Sequence, residues 1–459
     1  MTPHVTPVSS RERETVLETL LIQAEFGQDA AVRTGIATLH PADVAELLDA
    51  IEEPELKQKI FSFLVPDTAS EVLSLVSSLT QNELTEELSN AALGDLVERL
   101  DSDDAADLLA SLPEKQARAV LEQVPEELSA EMEQLLSYPP DTAGGIMQTE
   151  HVEVPSGTRA DEAIEIIRRH IDEVPDIHNV FVVDDQRHLV GILPLRKLIL
   201  ARPDDSVDLI MDRRVISARV DLDQEQVAQL FQRYDLVSLP VVDPQGVLLG
   251  RITIDDAVDV LEEEATEDIY KLGGLGGEDG VFDSPWRSIR RRLPWLALNL
   301  LTTTLGATVI SFFEGTIQTV AIAAAFMTMV AAQGGNAGIQ TLTVIVRGLA
   351  LGEVGLGHVK RVLVKELLVA LGNGLALATA AGVVAYVWKG EPLIGVVLSL
   401  ALVTNLTIAA FIGTMIPFTM RWLGIDPAVA SSVLVTACTD IFGYLTFLGF
   451  LTLFLRVFG

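Results

Sequence analysis

Hydrophobic and polar positions follow different patterns in the two parts of the chain. From residue 286 onward, apolar residues run almost without charge in five stretches, each longer than 20 residues. A transmembrane helix needs about 20 mainly apolar residues to cross the hydrocarbon core. The pattern therefore predicts five transmembrane helices, within residues 293–313, 315–346, 367–388, 392–420 and 427–455.

The loops between these stretches predict an orientation. With the N-terminus inside, nine basic residues fall on the inner face and two, Lys389 and Arg456, fall on the outer face. Because Lys and Arg accumulate in cytoplasmic loops, we expect a multi-pass protein of the inner or plasma membrane. Its N-terminal domains would be cytoplasmic and its C-terminus outside. Residues 1–13 lack the apolar core of a signal peptide, which agrees with this expectation.

Before residue 137, apolar positions repeat with a helical period. Short amphipathic segments begin about every 12 residues between residues 11 and 136. Pro113 and Pro125 suit the first turn of a helix, and acidic residues that favour a helix N-terminus follow each of them. Such repetition predicts a stacked helical superhelix.

A duplicated unit of two strands and a helix comes next. Hydrophobic runs separated by turn residues predict strands within residues 180–184, 189–193, 239–243 and 247–252. A helical stretch precedes each pair of strands, at residues 161–170 and 224–234. The fold class is multidomain: an all-α superhelix, an α/β pair, an acidic connecting helix and a five-helix α membrane domain. We expect the domain boundaries 1–137, 138–253, 254–272, 273–285 (a flexible linker) and 286–459.

Charge separates the same two parts of the chain. The 459 residues carry a net charge of −33. Residues 1–285 contain 59 acidic and 21 basic residues, a net of −38, whereas the remainder has a net of +5. Nucleic acid is excluded as a partner, because binding it requires a surface that neutralises phosphates. The single cysteine, Cys438, excludes an internal disulfide and a thiolate metal cluster.

One acidic residue, Asp440, lies near the middle of the last apolar stretch. A carboxylate at the bilayer centre costs at least about 2.5 kcal/mol and commonly faces a water-filled path or a partner group. No Lys or Arg lies at comparable depth in the other four stretches. Asp440 is therefore a candidate cation site, and the alternative is a neutral, hydrogen-bonded Asp.

The second apolar stretch contains a polar, glycine-rich segment at residues 333–340. Its glycines permit either close helix packing or a local break that exposes backbone carbonyls. Asn336 and Gln340 are four residues apart on one helical face and favour a polar pore lining. Asn405, in the fourth stretch, is interpreted as the donor or acceptor of an interhelical hydrogen bond.

Residues 255–268 contain eight acidic residues and no basic residue. Four of them share one helical face, where like charges repel: Asp256, Asp259, Glu263 and Glu267. Such a helix is usually a solvated acidic face, but its place before the first membrane stretch favours a regulatory role. Glycines at 273, 274, 276, 277 and 280 then predict the end of the helix and a flexible joint.

Five motifs, in this order, resemble the MgtE-type magnesium channels over nearly the whole chain. They are DTAGGIM at 141–147, ATEDI at 265–269, GGNAGIQ at 334–340, DPA at 426–428 and TDIFG at 439–443. The duplicated α/β unit is similar to a tandem pair of CBS domains. The resemblance implies a homodimeric magnesium channel, not an enzyme, with a pore built from its membrane helices.

The resemblance also implies site residues. Asp440 would recognise a hydrated ion, and Asn336, Thr436 and Gly443 would line the path nearby. Cytoplasmic magnesium would be sensed at the positions that match the family's ligands, namely Asp103, Asp107, Asp235, Asp256, Asp259, Glu264, Glu267 and Asp268.

CBS pairs often bind adenine nucleotides, and the ribose-binding pattern of the resemblance falls on Gly250, Thr253 and Asp256. The first copy has Pro194 and Lys197 at the equivalent positions, so the second copy is the candidate site for ATP or another adenine nucleotide. A dimerisation scaffold without nucleotide is the alternative. Asp256 falls in both the nucleotide pattern and the metal site, and we favour the metal site.

Two departures from the family's pattern concern the membrane part. After the DPA motif the family has Ser, then Asn or Gly, then Pro, whereas this chain has Ser431, Ser432 and Val433. The missing proline changes the backbone that helps to shape the pore, which bears on conduction and selectivity. Ala410 stands where family members often carry an Asn, and that role is not transferred to Asn405.

The chemistry of magnesium fits these residues. Mg²⁺ prefers octahedral oxygen ligands and keeps several waters, so one Asp per subunit could hold it through hydrogen bonds to those waters. Co²⁺ and Mn²⁺ are further candidate ions. Mg²⁺ that bridges the acidic cytoplasmic surfaces would draw them together and close the pore, because the two states would differ in their affinity for the ion.

Three other functions would also involve a membrane protein with an acidic residue or a CBS-like pair. A proton- or sodium-coupled carrier would use Asp440 as its titrating group, and it is the alternative function. An intramembrane aspartyl protease is excluded, because Asp426 and Asp440 are 14 residues apart, or about 21 Å along one helix. A nucleotide sensor without transport does not account for a central Asp in an apolar stretch.

Overall fold

The computed structural model describes residues 10–171, 174, 177–275, 279–281, 284–429 and 431–458. Residues 1–9 and the linker residues Gly276 and Gly277, which the sequence predictions include, lie outside the described residues. The chain divides into two units, Met1–Leu261 and Glu262–Gly459.

The first unit begins with ten short helices in the described sequence. From the second helix onward they start 12 or 13 residues apart, which confirms the predicted repeat. Their bounds are α1 Ser10–Glu25, α2 Asp29–Ile36, α3 Pro41–Asp49, α4 Pro54–Phe61, α5 Pro66–Leu75, α6 Ser78–Glu87, α7 Asn90–Val97, α8 Ser102–Ser111, α9 Glu114–Leu121 and α10 Glu126–Leu135.

Prolines mark where several of these helices begin. Pro41, Pro54 and Pro66 occupy first-turn positions, where the backbone N–H that proline lacks would have no helical partner. Pro113 and Pro125, which the sequence placed in the first turn, instead precede their helices as N-cap residues. Contacts join α3 to α5, α5 to α7 and α7 to α9, so alternate helices pack as in a stacked superhelix.

These helices bury a continuous apolar stripe. Leu47, Leu73, Leu93 and Leu109 are at most 1% exposed and belong to one core. Burial of a leucine side chain contributes roughly 1.5–3 kcal/mol. The stripe therefore stabilises helices that are too short to be stable alone.

Two three-stranded sheets follow. The strands are β1 Glu153–Pro155, β2 Asn179–Val183 and β3 Leu189–Pro194 in the first sheet, and β4 Ala218–Arg219, β5 Ser238–Val242 and β6 Leu248–Thr253 in the second. In both sheets the first strand is parallel to the second, and the second is antiparallel to the third. The accompanying helices are α11 Ala160–Arg169, α12 Leu195–Leu200, α13 Val207–Ile210 and α14 Gln224–Tyr234. The two predicted strand pairs are confirmed, while β1 and β4 were not predicted.

The acidic helix α15 (Ile254–Leu272) follows β6 directly. It ends as predicted before Gly273 and Gly274, and Gly274 has a left-handed φ of 76°. The segment after it was predicted to be a flexible joint, but Asp279 is held in place. Its side chain is buried, accepts a hydrogen bond from Ser288 Oγ at 2.7 Å and forms an ion pair with Arg292 at 2.5 Å.

After α15, the described part of the second unit contains six α-helices, with bounds α16 Pro285–Ser311, α17 Glu314–Thr319, α18 Ala323–Ala350, α19 Val359–Lys389, α20 Pro392–Trp422 and α21 Ser431–Phe458. Among the described residues, four segments are long and apolar enough to cross a membrane: Pro285–Ser311, Leu356–Trp388, Pro392–Trp422 and Ser432–Val457. The predicted span 315–346, the second of the five, corresponds to α18, which has 28 residues. Because of its glycines and amide side chains, α18 is not apolar enough to be one of these four segments. The number of five transmembrane helices therefore stays a prediction.

Helices α18, α20 and α21 form the core of this unit. Phe326 and Val330 of α18, Leu398 and Leu402 of α20, and Leu448 of α21 are at most 1% exposed. Helix α19 packs along α20, and α16 contacts α21. Because α18 is continuous from Ala323 to Ala350, the suggested local break in its glycine-rich segment is wrong.

Candidate ion path and carboxylate sensor

The candidate path residues lie on α18 and α21, which pack closely. A methyl group built on Gly338 would lie 2.6 Å from Val435 Cγ1, and one built on Gly335 would lie 3.9 Å from Thr439 Oγ1. One built on Gly443 would lie 3.1 Å from Ala331 Cα. Residue numbers rise along α18 as they fall along α21, so the two helices are antiparallel. The glycines therefore serve close packing, the first of the two predicted alternatives.

Asn336 and Asp440 each follow a contacting residue, Gly335 and Thr439, by one position. Successive residues of an α-helix lie about 100° apart around its axis. In an antiparallel pair, the residues that follow the two contacting residues therefore lie on the same side of the helix–helix contact. Thr436, three residues before Thr439, lies on that side as well. Asn336 is exposed, and Thr436 and Asp440 are partly exposed. Three of the four path candidates thus lie on one side of the α18–α21 pair.

Gly443, the fourth path candidate, lies in a different environment. It is buried between α18 and the side-chain amide of Asn405, so it contributes to packing beside the path. Asn405 is fully buried and donates from Nδ2 to the Val330 carbonyl at 2.9 Å. This contact confirms the predicted interhelical hydrogen bond.

The Asp440 carboxylate forms no hydrogen bond or ion pair with another side chain in the described part of the chain. Its neighbour Thr439 directs its hydroxyl to the backbone carbonyls of Val435 and Thr436, each at 2.9 Å. The neutral, hydrogen-bonded alternative therefore finds no partner among these residues. A carboxylate in an apolar helix without a counter-charge is suited to attract a cation.

In the first unit, acidic side chains of α8 and α15 come close together. Burial, and then the charge of Asp256, raises the pKa of Asp103 to about 8. Asp103 accepts a hydrogen bond from Gln148 at 3.3 Å, and Asp256 accepts one from the backbone N–H of Thr253 at 3.1 Å. Burial also raises the pKa of Asp256. Two half-buried carboxylates without a cation between them oppose each other's ionisation.

The other predicted sensor residues of this unit differ in their surroundings. Burial, followed by the charge of Asp256, raises the pKa of Asp107, whose side chain still keeps exposed surface. Asp235 is exposed at the end of α14 with a left-handed φ of 50°.

In the second unit, the last turns of α15 contact the loop between α20 and α21. Lys271 Nζ lies 2.5 Å from Asp426 Oδ2 and 2.8 Å from Glu267 Oε1. Burial, and then the charge of Asp426, raises the pKa of Asp268 to about 6, and Glu264 adds to the effect. Three predicted sensor residues thus lie in one charged environment with the DPA motif.

Neither carboxylate group is a closed metal cage. Across the ranges that the structure describes, no group of three or more His, Cys, Asp or Glu side chains could hold a metal ion directly. Pairs of carboxylates are better suited to an ion that keeps most of its own water, as Mg²⁺ does.

Three family models match this chain. The model for the divalent cation transporter MgtE matches residues 327–450, and the model for the MgtE intracellular N domain matches residues 39–141. The CBS domain model matches twice, at residues 143–204 and 206–263.

Relatives of similar sequence agree with these matches. The magnesium transporter MgtE of Thermus thermophilus is 39% identical over 329 residues, which are 71% of this chain and 73% of that protein. The chain belongs to the MgtE family. The magnesium transporter MgtE of Bacillus subtilis is 35% identical over 329 residues, 72% of this chain and 73% of that protein.

Two solved structures of cytosolic MgtE-type domains resemble the soluble part of this chain. The crystal structure of the cytosolic domain of the Mg²⁺ channel MgtE in complex with ATP has a TM-score of 0.51 and 34% identity, and covers 53% of this chain and 99% of that chain. The soluble part of a magnesium transporter has a TM-score of 0.50 and 30% identity, and covers 55% of this chain and 99% of that chain. They confirm an MgtE-type N domain and a CBS pair.

The second CBS copy of this MgtE family member borders a cavity of about 440 Å³. Thr253 of the ribose pattern lines the cavity, whereas Asp256, bonded to Thr253 and close to Asp103, does not. Arg251 also lines it and donates from Nε to Gln148 at 3.0 Å. Four acidic residues also line it: Asp101, Glu150, Asp255 and Asp259. A phosphate chain bound here would need a cation beside it.

Some groups near these MgtE family sites were not identified from the sequence. Asp104, whose pKa burial raises to about 6, precedes the predicted Asp107 by one turn. Gln148 directly follows the DTAGGIM motif, and Lys271 is the first basic residue after the acidic run. These positions give a weak signal, because a motif does not indicate which distant element its neighbours will contact.

Proposed function

We propose that this protein is a magnesium channel that moves hydrated Mg²⁺ into the cytoplasm and is closed by cytoplasmic Mg²⁺. The observation that carries the proposal is the carboxylate of Asp440. It is partly exposed, has no partner among the described side chains, and lies on the same side of the α18–α21 pair as Asn336 and Thr436. The relatives named magnesium transporters indicate the ion.

In the path, Asp440 would attract the dication, and Asn336 and Thr436 would bond its waters. Mg²⁺ loses water reluctantly, so contacts to its hydration shell suit passage better than direct ligation. Gly443 would let α21 approach α18 closely. In a homodimer, a second Asp440 would face the same ion. Co²⁺ and Mn²⁺, which have similar hydration shells, are further candidate ions.

The proposal includes the membrane topology. Helix α18 would complete the set of five spans, as the second along the chain, because its 28 residues exceed the roughly 20 that a bilayer requires. The excess of basic residues in the loops of one face would place the N-terminal domains in the cytoplasm and the C-terminus outside. The domains would be the superhelix 1–137, the CBS pair 138–253, the acidic helix 254–272, the linker 273–285 and the pore domain 286–459.

Regulation would use the crowded carboxylates. Burial, and then the charge of neighbouring carboxylates, raises the pKa of Asp103 and of Asp268, and a bound dication would offset both effects. Magnesium would therefore favour the arrangement in which these groups are close, and this difference in affinity would supply the free energy of closure. The proposed sensor set is Asp103, Asp107, Asp235, Asp256, Asp259, Glu264, Glu267 and Asp268. Asp235 has the least support, because it is exposed at the end of α14.

An adenine nucleotide would bind at the second CBS copy, where Thr253 lines the cavity. A relative's cytosolic domain was solved in complex with ATP. Because four acidic residues line this cavity, we expect ATP to raise the melting temperature of the protein more when Mg²⁺ is present. Thermal unfolding with ATP alone, Mg²⁺ alone and both measures this difference.

A proton- or sodium-coupled carrier is the alternative, because Asp440, which has no partner among the described side chains, could also titrate. Currents through protein reconstituted in a planar bilayer separate the two. For a channel, the reversal potential follows the Mg²⁺ gradient and does not move when a pH or Na⁺ gradient is imposed. A reversal potential that moves with either gradient would establish the carrier. Absence of any Mg²⁺ uptake into liposomes would refute both.

A further inference from the structure

At the junction of α18, α20 and α21, the side chain of Asn405 is fully buried. Its Nδ2 donates to the Val330 carbonyl, which α-helical geometry already pairs with the N–H of Gly334. Its Oδ1 has no hydrogen-bond donor among the residues that the structure describes. An unpaired buried acceptor lowers stability, so packing alone would favour an apolar side chain here.

Two glycines make room for this amide. A methyl group built on Gly334 would overlap Nδ2 of Asn405 and lie 3.0 Å from its Cγ, and one built on Gly443 would lie 3.0 Å from Nδ2. Gly334 belongs to α18 and Gly443 to α21. One side chain of α20 thus fills the space between the two helices that carry the path residues.

The amide lies close to the path residues along both helices. Gly334 precedes Asn336 by two residues, and Gly443 follows Asp440 by three. A change in the space that the amide occupies would therefore move the segments that hold Asn336 and Asp440. A hydrated dication is held through its waters, and such contacts depend on the spacing of the groups that make them.

We propose that Asn405 is a positioning residue that sets the spacing of α18 and α21, and thereby the discrimination of Mg²⁺ from the larger dication Ca²⁺. The inference rests on the proposed function. Asn405 touches no ion and acts through the Val330 carbonyl, Gly334 and Gly443. A role in selectivity explains why a buried amide with an unpaired oxygen stands at this position, since polar groups that lower stability are expected at functional sites.

The test is Asn405→Leu, a side chain of similar size without polar atoms. Full-length protein is reconstituted in liposomes, Mg²⁺ and Ca²⁺ uptake are measured separately, and the melting temperature is recorded. We expect an unchanged or higher melting temperature and a fall of about tenfold in the ratio of Mg²⁺ to Ca²⁺ uptake. A merely structural tether would lower the melting temperature and leave the ratio unchanged, and that result overturns the inference.

The glycines supply matched variants. Gly334→Ala should reproduce the lower ratio, because the new methyl group displaces the amide. Gly335→Ala is the control, since its methyl group would meet only Thr439 Oγ1, at an ordinary 3.9 Å. An equal effect of both substitutions counts against a specific role for Asn405.

If Asn405→Leu does not fold, the double variant Gly334→Ala with Asn405→Ala tests whether Asn405 sets the ratio of Mg²⁺ to Ca²⁺ uptake. Its added methyl group occupies space that the shortened side chain vacates, so we expect it to fold and to keep the low ratio. A wild-type ratio in this variant overturns the inference. A wild-type protein that carries no Mg²⁺ overturns the proposed function and the inference with it, whereas wild-type transport with an unaltered ratio in the variants overturns the inference alone.

Discussion

The two units of this protein place their carboxylates in opposite ways. In the second unit, Asp440 has no partner among the described side chains of an apolar helix. In the first, Asp103 and Asp256 are so close that burial and mutual charge raise the pKa of Asp103 to about 8. A cation at an isolated carboxylate gains one attraction and can leave again, whereas a cation between crowded carboxylates also removes their repulsion. An isolated carboxylate therefore suits the passage of an ion, and a pair of crowded carboxylates suits the sensing of an ion.

The largest effect is expected at the isolated carboxylate. Asp440→Asn keeps the shape of the side chain but removes its charge, so Mg²⁺ uptake into liposomes should fall by about 100-fold. Glu314→Gln is the matched control, because Glu314 is an exposed acid at the start of α17 in the same unit. Uptake by Asp440→Asn that equals uptake by the control would show that the path does not depend on this charge.

A smaller effect, on regulation alone, is expected at the crowded carboxylates. The pair Asp103→Asn and Asp256→Asn should raise the Mg²⁺ concentration that halves the current by about tenfold, equivalent to about 1.4 kcal/mol. The maximal current should stay unchanged, because neither residue lies in the proposed path. Single-channel or macroscopic currents at graded internal Mg²⁺ measure both quantities. Unaltered closure in the double variant would contradict the sensor.

Two further variants define the limits of that sensor. Glu71→Gln, an exposed acid on α5 of the same unit, serves as the control for general loss of negative charge. Asp235→Asn tests the least supported member of the set. Closure at the wild-type Mg²⁺ concentration in Asp235→Asn removes this residue from the sensor without affecting the role of Asp103 and Asp256.

How much of this molecule the sequence predicts depends on whether a feature lies within one element or between two. The helix starts in residues 29–126 repeat every 12 or 13 residues because each helix buries the same stripe, and a stripe is visible in sequence. The strands β1 and β4 have three and two residues, too few to show a period. Interactions between residues far apart in the chain produce no local sequence pattern. The charge of Asp256 acts on Asp103, and Lys271 donates a hydrogen bond to Asp426, 155 residues away. The packing of Asn405 between Gly334 and Gly443 was not predicted, because these three residues also lie far apart in the chain.

The crowded carboxylates also predict a pH dependence of stability without Mg²⁺. The folded-state pKa of Asp103, about 8, exceeds its unfolded value near 4. The stability that this group contributes is thus fully present below about pH 4 and is lost as the pH rises through about 8. At pH 8, Asp103→Asn should raise the melting temperature of Mg²⁺-free protein by about 2–4 °C. A melting temperature that is equally insensitive to pH in wild type and variant would contradict the crowding.

The smallest effect is expected at Lys271, where a basic side chain takes the place of a cation. Burial alone would lower the pKa of Lys271, but its hydrogen bonds to Asp426 and Glu267 raise it. Lys271→Gln removes a competitor for these carboxylates, so the Mg²⁺ concentration that halves the current should fall by about two- to fivefold, in line with the roughly 0.2–1 kcal/mol of a partly exposed ion pair. The carboxylate variants are expected to change this Mg²⁺ concentration in the opposite direction, upward. Lys360→Gln, the loss of an exposed positive charge on α19, is the control. If Lys271→Gln instead raises that concentration, the lysine stabilises the closed state itself, and the carboxylates near the DPA motif do not act by binding magnesium.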